Sequence, residues 1–267
     1  MSEVKNRYAL VTGATAGIGY ELAKVFAENG YNIVAVARTE SDLERVASDL
    51  SQYGIDVITI PKDLFGETAA TELYNEVKKR GVDVEVLVND AGQGVYGLFA
   101  ESDLEAQMRI IHLNIISLTR LTYHFLKDMK ARNSGKILQL ASIVSEIPSP
   151  YQAVYGGTKA YVLSFTEALI SELKDTNITV TALQPGATDT DFFNKAGAQD
   201  SKIVEDKSKL ADPAKVARDG YEALMNGDDK VVSGIKNKMQ SAMSNVMPDT
   251  MLADNMKKQS EPVNTNK

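Results

Sequence analysis

The 267-residue sequence predicts an α/β fold: one doubly wound, mainly seven-stranded parallel sheet with helices on both faces. Three observations predict it. Short runs rich in Val and Ile alternate with longer segments whose apolar residues recur at helical spacing. Several of the short runs are apolar on both faces, as strands covered on both sides must be. The first run passes directly into a glycine-rich turn that opens a helix. The predicted strands are Tyr8–Thr12, Ile33–Ala37, Val57–Ile60, Val84–Val88, Lys136–Ala141, Ile178–Leu183 and Lys230–Ser233. Helical stripes lie between them: Ile18, Leu22, Val25 and Phe26; Leu43, Val46, Ala47 and Leu50; Leu73 and Val77; then Leu104–Phe125 and Val162–Leu173. Strand–helix alternation of this kind implies right-handed crossovers and a single sheet.

Folds of this class run to about 250 residues as one domain, so residues 1–234 are expected to form a single unit and 235–267 an extension. A net charge of -7 argues against a nucleic-acid partner, whose phosphates need clustered Lys and Arg. With no cysteine, disulfide scaffolds, thiolate metal sites and cysteine nucleophiles are excluded, and two histidines do not make a metal centre. His112 and His124 are read as structural or surface residues. The start carries no secretion-type signal and no run of about 18 apolar residues occurs, so a cytoplasmic location is expected.

Two stretches depart from the rhythm. Residues 187–211 are polar and irregular apart from Phe192 and Phe193, and a loop of that length is usually functional or disordered. In the extension Met239, Met243, Met247 and Met251 recur every fourth residue, with Pro248 interrupting any helix between them. The stripe reads as a soft apolar cover for the fold or for a second subunit. Membrane attachment is the lesser reading, because the polar side carries little basic excess. The final SEPVNTNK suggests partial disorder.

The glycine-rich turn is Gly13-Ala-Thr-Ala-Gly17-Ile18-Gly19. Gly13 allows the tight turn, Gly17 a close backbone approach to a pyrophosphate, and Gly19 close packing of helix on sheet; the helix N-terminus then offers N–H groups to phosphate. Thr12 and Thr15 can add hydroxyls. Arg38, at the end of the second strand, suits a ribose 2′-phosphate and so NADP(H), with NAD(H) second, because no carboxylate stands there for a 2′-hydroxyl. Asp63 and Leu64 after the third strand, and Asn89, Ala91 and Gly92 after the fourth, fall where open α/β sheets bind ligands, as do Pro185, Gly186, Thr188 and Thr190 after the sixth.

Tyr155 and Lys159 are four residues apart, which places both on one helix face. An ammonium beside a phenol lowers the phenol's pKa, which suits a general acid or base. Ser142 ends the fifth strand and can hydrogen-bond a carbonyl. Asn114 interrupts a helical pattern where an asparagine is unfavourable unless its amide is needed elsewhere or bonds local backbone.

These motifs, in this order from Tyr8 to Gly234, resemble the short-chain dehydrogenase/reductases, a family of Rossmann-type fold, in its compact single-domain subgroup of general bacterial oxidoreductases. The resemblance implies a catalytic tetrad of Asn114, Ser142, Tyr155 and Lys159. Tyr155 would exchange a proton with the substrate oxygen, Lys159 lower its pKa and bind the nicotinamide ribose, Ser142 hold the carbonyl oxygen, and Asn114 a relay water. It also implies a homodimer or homotetramer joined through the helices holding Asn114 and Tyr155. Asp90 departs from the asparagine usual in the NDAG motif, and the basic residue that some NADP-dependent members carry at the place of Ala16 is absent.

The reading is therefore an NADP(H)-dependent carbonyl reductase acting on a small molecule. Its pocket walls would come from Gln93–Phe99, Ile143–Val154 and the 187–211 loop. The alternatives are a non-catalytic dinucleotide sensor on the same fold and nucleotide-sugar chemistry, for which the segment after the last strand is short. Methyltransfer has no use for a Tyr–Lys pair.

Overall fold

The computed structural model describes residues 7–244 and 247–263. Its strands are β1 (Tyr8–Thr12), β2 (Asn32–Ala37), β3 (Val57–Pro61), β4 (Val84–Asn89), β5 (Gly135–Leu140), β6 (Ile178–Gln184) and β7 (Lys230–Val232). Each end lies within one residue of its predicted run. They form one parallel sheet in the order β3-β2-β1-β4-β5-β6-β7. The order reverses between β1 and β4, and a crevice opens there at the carboxyl ends.

Alternation along the strands feeds two cores. Ala9, Val11, Ile33 and Ala35 pack with α1 (Gly17–Glu28), α2 (Glu40–Ser51) and a later helix, α9 (Pro213–Asn226). Leu10, Val34 and Val36 face the other way, onto α3 (Ala69–Lys79), α5 (Leu118–Arg132) and α6 (Ala153–Leu173). Helix α9 shows how sequence sets such boundaries: Asp212 caps the Ala214 amide, Pro213 occupies the first turn, and Gly227 closes the far end at φ +80°.

The apolar pattern over Leu104–Phe125 does not form one α-helix. Helix α4 (Leu104–Ile111) widens into a π-turn at His112–Ser117 before α5 begins. The 187–211 loop contains two single-turn helices, α7 (Phe192–Lys195) and α8 (Lys202–Glu205). The extension forms α10 (Ile235–Ser244) and α11 (Asp249–Ser260), with Pro248 at the N-cap of the latter.

Two expectations for the extension change. Met239, Met243 and Met251 stand at 63%, 51% and 53% exposure, so of the stripe only Met247 packs on this chain, beside Leu252 and Met256 against Ile147, and the other three are left free for a second subunit. Ser260 to Val263 are tied down rather than loose: Ser201 bridges Pro262, and the Val263 amide donates to the Asp200 carbonyl at 2.8 Å. The remainder of that stretch, 264–267, lies outside the described residues. No helix among the described residues is long and apolar enough to cross a membrane.

Candidate active site

A cleft of about 940 Å³ follows the carboxyl ends of the strands and runs under the extension. At one end the β1–α1 turn carries Gly13 at φ +73° and Gly17 at φ +57°, conformations that L side chains resist. Thr15, Gly17 and Ile18 line the cleft. The N-cap of α1, Ala16, has no side chain to satisfy the first amides; the Asp90 carboxyl takes that of Gly19, which leaves those of Gly17 and Ile18 for a ligand. Gly19 faces inward: a Cβ there would lie 2.4 Å from both Asp90 Oδ2 and the Gly13 carbonyl oxygen. Gly17 turns its bare Cα to the Thr190 side chain, 2.9 Å from the Cβ position, so the loop after β6 closes directly over the turn.

Arg38, Asp63 and Leu64 line the same end of the cleft. Arg38 is exposed and makes no ion pair among the described residues; its guanidinium sits 5.8 Å from the Phe65 ring centroid. Asp63 Oδ1 accepts from the Phe65 amide. Lys62 joins them, ion-paired to Glu72 at 3.2 Å, a cleft residue that the sequence reading did not include.

Two residues offered for the cofactor turn away from it. Asn89 is buried and donates to Thr122 Oγ1 and Gln139 Oε1, on the side of the sheet facing α5. Thr12 accepts from the Asp90 and Ala91 amides and donates to the Val88 carbonyl. Both hold β1, β4 and β5 together where β4 ends, which leaves Ala91 and Gly92 to line the cleft.

The chemical groups meet at the other end. Ser142 Oγ accepts from the Val144 amide, capping the short turn after β5, donates to the Pro185 carbonyl at 3.4 Å and faces the Tyr155 phenol. Tyr155 and Lys159 project from the first turns of α6, with Lys159 Nζ 5.7 Å from the tyrosine ring centroid. Lys159 is buried and donates to the Leu140 carbonyl at 2.6 Å. Gly92 lies beside it: a Cβ there would make ordinary contact with Nζ at 3.5 Å and Asn114 Oδ1 at 3.4 Å. Asn114, in the π-turn, is buried behind this group rather than lining the cleft. Its amide donates to the Gln93 carbonyl and Thr158 Oγ1 and accepts from the Gln93 amide, all at 2.9–3.0 Å. Those bonds explain why an asparagine stands there: it ties the loop after β4 to α6.

The electrostatics correct one expectation. Tyr155 is raised, not lowered, from its usual value of 10.0: desolvation raises it most and the Asp90 charge adds to that, against a lowering by Ser142. Burial also pushes Lys159 down to about 8, despite the attraction of Asp90. Asp90 is lifted to about 7 by burial, against the pull of Lys159 and of the Gly19 amide. In the free protein the phenol therefore keeps its proton.

Of the expected walls, Gln93, Ile143, Val144, Gln152, Phe192 and Phe193 line the cleft; Val95, Tyr96 and Glu146 do not. Tyr96 donates to the Ser260 carbonyl, and Glu146 is taken up by Gln184, Ser241 and Lys230. Phe192 covers Tyr155, with ring centroids 5.1 Å apart. Pro185, Gly186, Thr188 and Thr190 line the cleft too, and the Asn237 side chain presses on Gly186. Asn237, Met256 and Gln259 come from the extension, and no spacing in the sequence assigns them there. Neither histidine lines it: His124 bonds Thr71 and stacks on Tyr74, and the His112 ring nitrogens are buried without a partner.

A family model described as short chain dehydrogenase matches residues 7–201. The chain belongs to that family. That is an oxidoreductase family that binds nicotinamide dinucleotides. It is 30% identical over 203 residues to a short chain dehydrogenase of Pseudocercospora fijiensis, a match covering 75% of this chain and 64% of that one. It is 36% identical over 194 residues to a probable NADP-dependent dehydrogenase of Haemophilus influenzae, covering 72% and 75%. Among solved structures, a short-chain dehydrogenase from Sphingobium yanoikuyae in complex with NADPH aligns with a TM-score of 0.78 at 26% identity, covering 90% of this chain and 96% of that one.

Proposed function

We propose that this dehydrogenase reduces the carbonyl group of a small, partly apolar molecule with NADPH, and in reverse oxidises the secondary alcohol with NADP⁺. The observation that carries the reading is the meeting of Ser142, Tyr155 and Lys159 in one cleft that begins at an uncapped helix N-terminus beside Arg38.

NADPH, when bound, supplies the hydride. Gly13, Thr15, Gly17, Ile18 and Gly19 shape the turn that takes the pyrophosphate, with Asp63, Leu64, Ala91 and Gly92 beside the adenosine and Pro185, Gly186, Thr188 and Thr190 toward the nicotinamide. Arg38 takes the 2′-phosphate; the NADPH complex of the Sphingobium protein and the name of the Haemophilus relative support that choice. Ser142 donates to the substrate oxygen and Tyr155 delivers the proton. A phenol that retains its proton in the free protein is the form the reduction direction needs. Lys159 places positive charge behind the phenol and reaches toward the ribose. Asn114 is a positioning residue, because its amide is spent on Gln93 and Thr158. Ile143, Val144 and Phe192 favour an apolar substrate body.

Residues 1–234 form the catalytic unit and 235–267 an extension that walls its cleft. A homodimer or homotetramer pairs the faces of α4, α5 and α6, where Leu104, Met108, Ile116, Tyr123 and Tyr161 are exposed.

The test is NADPH oxidation across a library of aldehydes and ketones. Tyr155→Phe should cost at least about 100-fold in turnover, the scale of positioned acid catalysis, with NADPH affinity retained. Normal turnover in that variant rejects the mechanism; no oxidation with any carbonyl rejects the activity.

A further inference from the structure

The Asp90 carboxyl is built into the glycine turn. The Gly19 amide hydrogen-bonds the carboxyl, and Oδ2 lies 2.8 Å from where a Gly13 Cβ would stand. Oδ1 is buried and has no hydrogen-bond partner. The Gly13 carbonyl oxygen and Asp90 Oδ2 crowd the same point beside Gly19, each 2.4 Å from where its Cβ would stand. The charged and titratable groups facing the carboxyl both come from α6: the Lys159 ammonium, which attracts it, and the Tyr155 phenol. The glycine turn offers no charged side chain, and the Thr12 hydroxyl of β1 is spent on backbone amides. Lys159 is itself shared with the Leu140 carbonyl of β5.

The amides that a pyrophosphate needs begin at Gly17, two residues from the one Asp90 already uses. A bound dinucleotide would set a second anion against the same helix N-terminus, beside a buried carboxylate whose repulsion water screens little. A proton on Asp90 removes that repulsion. It also turns one of the two crowded acceptors into a donor.

We propose that Asp90 is a proton-coupled latch on the glycine turn: as a carboxylate it holds the N-terminus of α1 in the free protein, and binding of an anionic dinucleotide draws one proton from solvent onto it. The inference rests on the dinucleotide-binding reading above. Burial has already lifted this carboxyl to about 7, so a nearby anion need raise it only modestly further. The sign follows: at pH 8 the free protein is mostly carboxylate and the complex protonated, so the Asp90 contribution to affinity weakens as pH rises above 7.

Titration calorimetry of NADP⁺ binding at pH 8, in buffers of low and high ionisation enthalpy, counts the protons. Wild type should take up roughly 0.5 to 1 proton more than Asp90→Asn, whose amide carries an N–H at every pH. The 2′-phosphate of the ligand titrates alike in both; Lys159, at about 8 beside Asp90, can also take up a proton, and the carboxyl stretch in difference infrared spectra assigns the uptake to Asp90. Equal counts overturn the latch and leave the functional reading standing; no binding at all overturns both. Should the variant fail to fold, difference infrared spectroscopy of wild type decides. Addition of NADP⁺ should bring up the carbonyl stretch of a protonated carboxyl and bleach a carboxylate band, and a spectrum without that exchange overturns the proposal.

Discussion

The two ends of the cleft are built on different plans. At the glycine-turn end, β1 to β3 and their turns supply lining from the first 65 residues, joined by Ala91 and Gly92 after β4, and Arg38 and Asp63 stand exposed with few bonds to the protein. At the reaction end, side chains from the β4 loop, the π-turn, β5, α6 and the 187–211 loop converge, and Asn114 and Lys159 are buried and bonded to backbone or to one another's neighbours. An exposed side chain can be exchanged at little cost to the fold. A buried polar group cannot, because its partners are left unsatisfied. Under the proposed function, cofactor choice sits where substitution is cheap, and chemistry where geometry is fixed by the rest of the molecule.

Removing a member of the buried network tests this most severely. Asn114→Leu deletes three hydrogen bonds and leaves the Gln93 amide and carbonyl facing an apolar side chain. At about 1 kcal/mol per bond, and more for groups left buried, the cost should be about 3 kcal/mol of stability by urea unfolding. Turnover should fall with it, through displacement of the loop after β4 and of α6, while the affinity for NADP⁺ changes little. A large and equal loss of affinity would show that the two ends are one mechanical unit.

The same contrast governs how much was legible in the sequence. Strands apolar on both faces announce themselves, as does a glycine turn between a strand and a helix. Tyr155 and Lys159 are legible because four residues on a helix fix their shared face. The inward turn of Thr12 and Asn89 is not. These residues stand side by side with Gln139 because β1 pairs with β4 and β4 with β5 in that register, which no local pattern encodes. The raised phenol is hidden for a related reason: spacing puts an ammonium on the same face but says nothing about burial or about a carboxylate arriving from β4. The role of α11 is hidden behind the methionine repeat, which draws attention to side chains that, Met247 apart, remain exposed while Met256, off the repeat, enters the cleft.

Arg38→Ala should leave stability unchanged, because the side chain is exposed and without an ion pair among the described residues. Loss of a charge-assisted contact to the 2′-phosphate should weaken NADP⁺ binding by about 10- to 100-fold, with NAD⁺ affinity held. Fluorescence titration with both dinucleotides measures it. Equal wild-type affinities, unmoved by the substitution, would remove the assignment of NADP(H) and leave Lys62 as a surface ion pair.

The smallest effect is expected where the reaction end borrows from the extension. Tyr96 donates to the Ser260 carbonyl at 2.5 Å, stacks on Tyr151 and holds the end of α11 beside the 187–211 loop. Tyr96→Phe keeps the ring and its stacking and removes one hydroxyl. The Ser260 carbonyl is not orphaned, because Ser201 Oγ still donates to it at 3.2 Å, and the Lys202–Glu261 ion pair and the Val263–Asp200 bond remain. With no buried group left unsatisfied, the loss should be under about 1 kcal/mol, the net value of one hydrogen bond. Global unfolding should scarcely register it. Proteolysis of the native protein should, because local opening of a terminal segment responds to its own few contacts rather than to the core. Faster cleavage after α11 with an unchanged urea midpoint would place the extension with the exchangeable parts of the molecule. A cooperative loss of stability would instead make it part of the buried network around Tyr155.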